Sequence, residues 1–410
     1  MESEASPVEN VIRPPFINYI EGMRGFLGLF VVLAHFRFLL DRPDYMNGPT
    51  ATLIPGKLMW LAYCGSLVTV FIVISGFVLT IPVVLRGSMG GFWKFMQRRA
   101  RRMIPPYYAA IALAVPLYVW ELNLEGQHAS IKGVASQVVT HLLFIHNLSW
   151  NTLEGLDGAM WSIAIEWQAY IVFALCLLPI ALRFGTIASI VVGLAVGLVP
   201  TLLAATGHHV SYGLLFAHFW YFGIFAIGSA AAFVAFGKRG YERLQNATVW
   251  KCIAAACVIW YVAVIPHPVE QIMRSTIFND LPVGIGVASW FIALAIEERS
   301  GKRGFFVRFF AFKPFIFLGT FSYTLYLVHQ PIVTVVMLEA QRLAPAERIW
   351  VPVVAFPLIV AFAYGFARLF EFPFLSTYYR AGGEKALHAN AAATQAAGAA
   401  EPVPARVAEA

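Results

Sequence analysis

Ten mostly apolar runs of near-membrane length follow one another along this chain, at 17–40, 58–83, 103–120, 160–182, 185–205, 214–236, 249–265, 280–296, 314–338 and 350–370. About 20 apolar residues in a helix cross the ~30 Å hydrocarbon layer of a bilayer. No water inside that layer completes a broken backbone hydrogen bond, so such segments cross as helices, whose bonds close within the segment. The pattern predicts an all-α polytopic membrane bundle of about ten transmembrane helices. Composition agrees: 59% of the residues are hydrophobic and 12% charged, about half the charged share of a soluble domain. That excludes a soluble enzyme, and the wealth of aromatic and branched side chains excludes disorder.

Lys and Arg in the connections set orientation. Twenty of the 29 fall on one side of the predicted membrane, including Arg86, Lys94, Arg98, Arg99, Arg101 and Arg102, and seven on the other. Both termini are therefore expected in the cytoplasm, with the chain in the cell (inner) membrane. Because the basic residues sit in short clusters between apolar runs, the net charge of +7 reads as loop topology, not as a nucleic-acid surface. The expected organisation is a cytoplasmic segment 1–15, a membrane domain 16–374, and an Ala-rich, disordered cytoplasmic tail 375–410. The acidic start, MESEASPVEN, does not resemble a cleavable signal, so the first span is expected to target the chain. Cys64, Cys176, Cys252 and Cys257 lie in apolar stretches without a CxxC, so neither disulfides nor zinc are expected. The long outer connection 121–159 contains QVVTHLLFIHNL, which reads as an amphipathic helix on the membrane surface. Its His141 and His146 are poorly spaced for one metal, and no metal site is expected.

An ionisable side chain inside a span is costly and points to function. The first span holds Glu21, Arg24 and His35. Arg24 and His35 are separated by three helical turns, so they share a face about 16 Å apart, with the cation toward the cytoplasm and the imidazole farther out. Each alone has a bland explanation, snorkelling for Arg24 and an interhelical hydrogen bond for His35. The pair on one face favours function.

The run YIEGMRGFLGLFVVLAH, with a basic residue, ten residues and then His, resembles the first-helix signature of the acyltransferase-3 family of integral membrane O-acyltransferases. Further motifs follow in that family's order. Ser75-Gly76-Phe77 resembles its SGF, and WKFMQRRARRMIPPYY resembles its RxxR helix entry, met by Arg98/Arg101 and by Arg99/Arg102. MWSIAIEWQAY places Glu166 on the family's acid, FSYTLYLVHQPI places Ser322, Tyr323, Tyr326 and His329, and FEFPF supplies the terminal E-x-P. Glu21 stands where Asp is commoner, and Trp167 stands where the family has a second acid. The resemblance implies transfer of an acyl group, usually acetyl, from cytoplasmic acyl-coenzyme A to a hydroxyl, mostly of a carbohydrate or glycolipid acceptor.

The residues themselves fit that chemistry. Phosphates of the donor call for cations, which the 86–102 segment supplies beside Phe92 and Trp93. Acyl transfer calls for a base and an oxyanion donor. His35 is expected to be the base, with Arg24, Glu166 and His329 as further catalytic residues. Arg98, Arg99, Arg101, Arg102, Tyr323 and Tyr326 are expected to bind the donor. Glu166 is expected at the outer end of its span, where a plain interfacial carboxylate is a close competitor, and interhelical bonding competes for His329. A secondary transporter using the buried Arg, His and Glu as a pathway is the alternative, although no paired interrupted spans are visible.

Overall fold

The computed structural model describes residues 18–40, 65–153, 155–237, 240–264, 277–302 and 304–375. The expected terminal segment 1–15, all of the tail but Leu375, and Cys64 lie outside them. Among the described residues the chain is helical with no strand. Each expected span is met by helix: α1 (Asn18–Leu40), α2 (Gly65–Arg86), α3 (Phe92–Leu124), α5 (Trp161–Phe184), α6 (Thr186–Ala205), α7 (Tyr221–Phe236), α8 (Ala247–Val264), α9 (Ile277–Arg299), the pair α11 (Lys313–Gly319) and α12 (Ser322–Glu339), and α13 (Trp350–Phe370). Two shorter helices complete the set, α4 (Ile131–Leu142) and α10 (Phe305–Phe310).

Burial sorts these helices into an inner and an outer set. α7 has only sixteen residues, about 24 Å of helix, yet thirteen of them are buried. It can be short because protein surrounds it: α2, α6 and α9 pack on it. In contrast, α6 and α13 expose most of their apolar side chains, including Val191, Leu202, Val353 and Leu358, which suits helices facing lipid. On the other side of the bundle, α12 packs against α1, α3 and α13.

Lipid tails are as apolar as leucine, so close backbone approach has to hold the helices together. A Cβ on Gly25 would fall 2.2 Å from the Phe315 carbonyl oxygen, and one on Gly319 would fall 2.0 Å from that of Glu21. Backbone therefore touches backbone where α1 crosses α11, and Arg24 sits between the two contact points.

The ninth expected span, 314–338, is not one helix. α11 and the segment Ser322–Arg342 meet at 72° across Thr320 and Phe321. Side chains stabilise the break, Ser322 Oγ donating to the Gly319 carbonyl at 3.0 Å and Thr320 Oγ1 to that of Phe317 at 2.7 Å. A transporter calls for matched interruptions in two halves, and this is the one bent pair among the described residues.

The outer connection contains the expected short helix, α4, and seats one side of it on the bundle. α4 lies against α3, and His141 and His146 are fully buried with their rings stacked 3.8 Å apart. Tyr107 of α3 donates its hydroxyl to the His141 carbonyl, and Phe144 stacks between Tyr107 and Trp167. Ile131, Val139, Leu143 and Ile145 are exposed on the segment's other side, so it is two-faced, with its inner side seated by Tyr107 of α3 and by Trp167 and Gln168 of α5.

Candidate active site

Arg24 lines a narrow cleft between α1, α2, α5 and α12. α2, α5 and α12 supply the other polar walls: Ser75, Ser162 and Glu166, Ser322, Tyr323 and Tyr326. Four sequence motifs far apart in the chain thus close on one space. Arg24 also reaches Glu21 at 3.4 Å, one turn away on its own helix.

Glu166 is half-buried. Ser75 Oγ donates to its Oε1 at 2.5 Å and Tyr170 Oη to the same oxygen at 2.7 Å. The carboxylate is tied between α2 and α5 and lines the cleft that Arg24 enters. Trp167, on the next position, turns away and stacks on Phe144, so no second carboxylate stands beside Glu166.

On α12 the two tyrosines serve as struts as well as walls. Tyr323 Oη donates to the Met103 carbonyl of α3 at 3.3 Å. Tyr326 Oη lies 2.7 Å from Ser162 Oγ and donates to the Ala159 carbonyl at 3.1 Å. One turn beyond the cleft, His329 meets His35, Nε2 to Nδ1 at 3.3 Å, with the rings 4.8 Å apart and 73° from coplanar. The two histidines thus come from α1 and α12, nearly three hundred residues apart, and adjoin the Tyr326 ring, 5.5 Å from His329.

The four arginines of α3 separate into two sets. Arg99 and Arg102 are half-buried, and both act electrostatically on Tyr170. Arg98 and Arg101 are exposed, Arg98 donating to the Met89 carbonyl at 3.0 Å. Helical geometry explains the division, since neighbouring RxxR pairs are rotated by about 100° from one another.

One acid was quoted in a motif but given no role. Glu371, from FEFPF, is 1% exposed and accepts from Thr324 Oγ1 at 2.6 Å. The Thr324 backbone N–H also donates to it, and Arg102 and Arg24 bear on its charge. Glu371 therefore caps the free N-terminus of α12 at the break, where orphan amides have no helical acceptor. Its signal in the sequence was a lone carboxylate at the end of an apolar run, next to a proline. No group of three or more His, Cys, Asp or Glu is placed to hold a metal among the described residues.

An all-α membrane bundle with a polar cleft and an adjoining histidine pair defines a polytopic membrane protein built around an intramembrane site. Comparison with known proteins says which. The family model described as an acyltransferase domain matches residues 17–368, and the chain belongs to this acyltransferase-3 family. It is also similar to the peptidoglycan O-acetyltransferase OatA of Listeria monocytogenes serovar 1/2a, at 24% identity over 357 residues, covering 78% of this chain. The chain spans about half the length of that relative, 50%. No solved structure matches.

Proposed function

We propose that the protein is a membrane O-acyltransferase that moves an acyl group, acetyl by default, from cytoplasmic acyl-coenzyme A to a hydroxyl of a surface polysaccharide or glycolipid. The observation that carries the reading is the convergence of Arg24, Glu166, Tyr323 and Tyr326 on one cleft with His35 and His329 beyond it. The name of the OatA relative makes a carbohydrate acceptor the first to test. With both termini inside, the arginines of α3 face the compartment that holds coenzyme A. The exposed Arg98 and Arg101 then meet the donor phosphates first, and Arg99 and Arg102 carry the positive field inward to Arg24.

In this reading the acceptor oxygen attacks the thioester carbonyl carbon directly. His35 removes the hydroxyl proton as the new C–O bond forms. The C–S bond breaks as the tetrahedral intermediate collapses, and the thiolate leaves with the proton that His35 returns. Arg24, which lines the cleft with several N–H groups, is the donor at hand for the oxyanion. A positioned base contributes about 10²- to 10⁴-fold. His35→Ala should therefore reduce acetyl transfer by at least about a hundredfold with expression and membrane insertion unchanged; full activity in that variant removes the mechanism. Mass spectrometry of surface glycans from cells with and without the gene tests the reading as a whole. A gain of one acyl mass on a glycan supports it, and substrate flux without coenzyme A consumption replaces it with transport.

A further inference from the structure

His329 is fully buried on α12, and one of its ring nitrogens is already committed. Nδ1 lies 2.7 Å from the Tyr326 carbonyl oxygen. A carbonyl only accepts, so Nδ1 carries the hydrogen and the neutral ring keeps its lone pair on Nε2. That Nε2 faces His35 Nδ1 at 3.3 Å, and the same His35 nitrogen lies 2.9 Å from the Val31 carbonyl oxygen. His35 Nδ1 thus looks at two acceptors and must itself hold a hydrogen, shared between them. Its own lone pair is left on Nε2.

Val31 alone does not fix this arrangement. Its oxygen is a helical carbonyl one turn back, which the His35 backbone N–H also uses, and it cannot restrain the far side of the ring. His329 supplies the second, tertiary anchor. Nor is it a second carrier of the proton: passing one onward through His329 would need its Nδ1 to release hydrogen to a carbonyl.

We propose that His329 is a positioning residue, which holds His35 in the Nδ1–H tautomer and so presents Nε2 as the base. The proposal rests on the reading of His35 as the base. When Nε2 takes the acceptor proton, the hydrogen on Nδ1 stays in place and its bond to His329 becomes charge-assisted. The same proton then leaves from Nε2 with the thiolate, and His329 is unchanged throughout.

Two substitutions separate this role from its rivals. His329→Gln keeps an acceptor oxygen near the position of Nε2 and cannot carry a proton, whereas His329→Leu removes the acceptor. In the full-length protein in nanodiscs, with acetyl-coenzyme A as donor, His329→Leu should lose about 10²-fold in kcat with little change in donor KM. His329→Gln should stay within about tenfold of the parent. Nitrogen-15 spectra of histidine-labelled protein, with His35 assigned by its absence in His35→Ala, should show a single Nδ1–H tautomer. That signature should be mixed in His329→Leu and restored in His329→Gln. A Gln variant as inactive as the Leu variant, both folded and binding donor, overturns the proposal in favour of proton carriage. An Nε2–H tautomer for His35 in the parent also overturns it. The spectra do not depend on activity, so a failure of His35 as base, read from His35→Ala, is distinguishable from a failure of this tautomer assignment.

Discussion

Charge is rare in this chain, and Glu166, Glu371 and Asp280 show carboxyls held by hydroxyl or indole donors. Glu166 shows how the donors define the role. Two hydroxyls from α2 and α5 donate to one of its oxygens while the carboxylate faces the cleft. Glu166→Ala strands the Ser75 and Tyr170 hydroxyls, a loss of about 1–3 kcal/mol for each buried group left unpaired, and should lower both thermal stability and transfer. Glu166→Gln offers a carbonyl oxygen to the same donors and should retain stability while showing, in kcat, how much of the role is charge. Melting in detergent alongside initial rates separates the two. At Arg24, a planar fork and a point charge differ: Arg24→Lys should not restore what Arg24→Ala loses, because Lys cannot make paired contacts. Donor KM and kcat measured for both variants check this.

The broken span is the element that arranges the site. α12 begins at the break, so Ser322 and Tyr323 open into the cleft and Glu371 neutralises the exposed helix end from α13's terminus. Glu371→Ala removes that cap and should destabilise the protein by about 1–2 kcal/mol, seen as a lower melting temperature. A more severe change lies at the crossing of α1 and α11. Gly25→Val places a branched side chain where even one carbon falls 2.2 Å from a carbonyl oxygen, and the protein should fail to accumulate in membranes. The outer connection carries a pH response of its own. Burial holds His141 down to about 4 and His146 to about 3, the neighbouring imidazole adding to the effect at His146. Both lie below the ordinary 6.5, so the folded pair binds fewer protons than the open one. Its contribution to stability is full above pH 6.5 and falls as the pH drops toward those values. The Asp157 carboxyl of the same connection works in the opposite sense, since burial pushes it up to about 8 and its contribution is lost as the pH rises. In Asp157→Asn, which removes that opposing titration, hydrogen exchange over 131–153, corrected for intrinsic rate, should be faster at pH 5 than at pH 7.5. Unchanged protection contradicts this account of the pair.

Over the whole molecule, the apolar runs were legible because a bilayer allows a crossing segment few backbone solutions. Orientation is a statement about loops, and it predicts that reporters fused at either end both read the cytoplasmic side. The α1 pair was legible too, since helical spacing alone puts Arg24 and His35 on one face. Less was readable where local pattern and tertiary demand diverge. The 314–338 run is apolar enough to read as one span, and its break coincides with a backbone contact with α1 and a bond from Thr324 to Glu371 at the end of α13, partners remote in sequence. QVVTHLLFIHNL has the pattern of an interfacial helix, and the burial of Gln137, His141 and His146 on its inner side is set by residues outside that run. Among the arginines, sequence marked all four equally, and only helix rotation against the bundle separated Arg99 and Arg102 from Arg98 and Arg101.

The sequence by itself determined an all-helical membrane bundle, the family and the shared face of Arg24 and His35, because hydrophobicity, motif order and helical period are local properties. The tertiary structure decided which acid shares the cleft with Arg24 and which histidine meets His35. Those outcomes depend on distances of about 3 Å between helices far apart in the chain, and no pattern along one helix contains them.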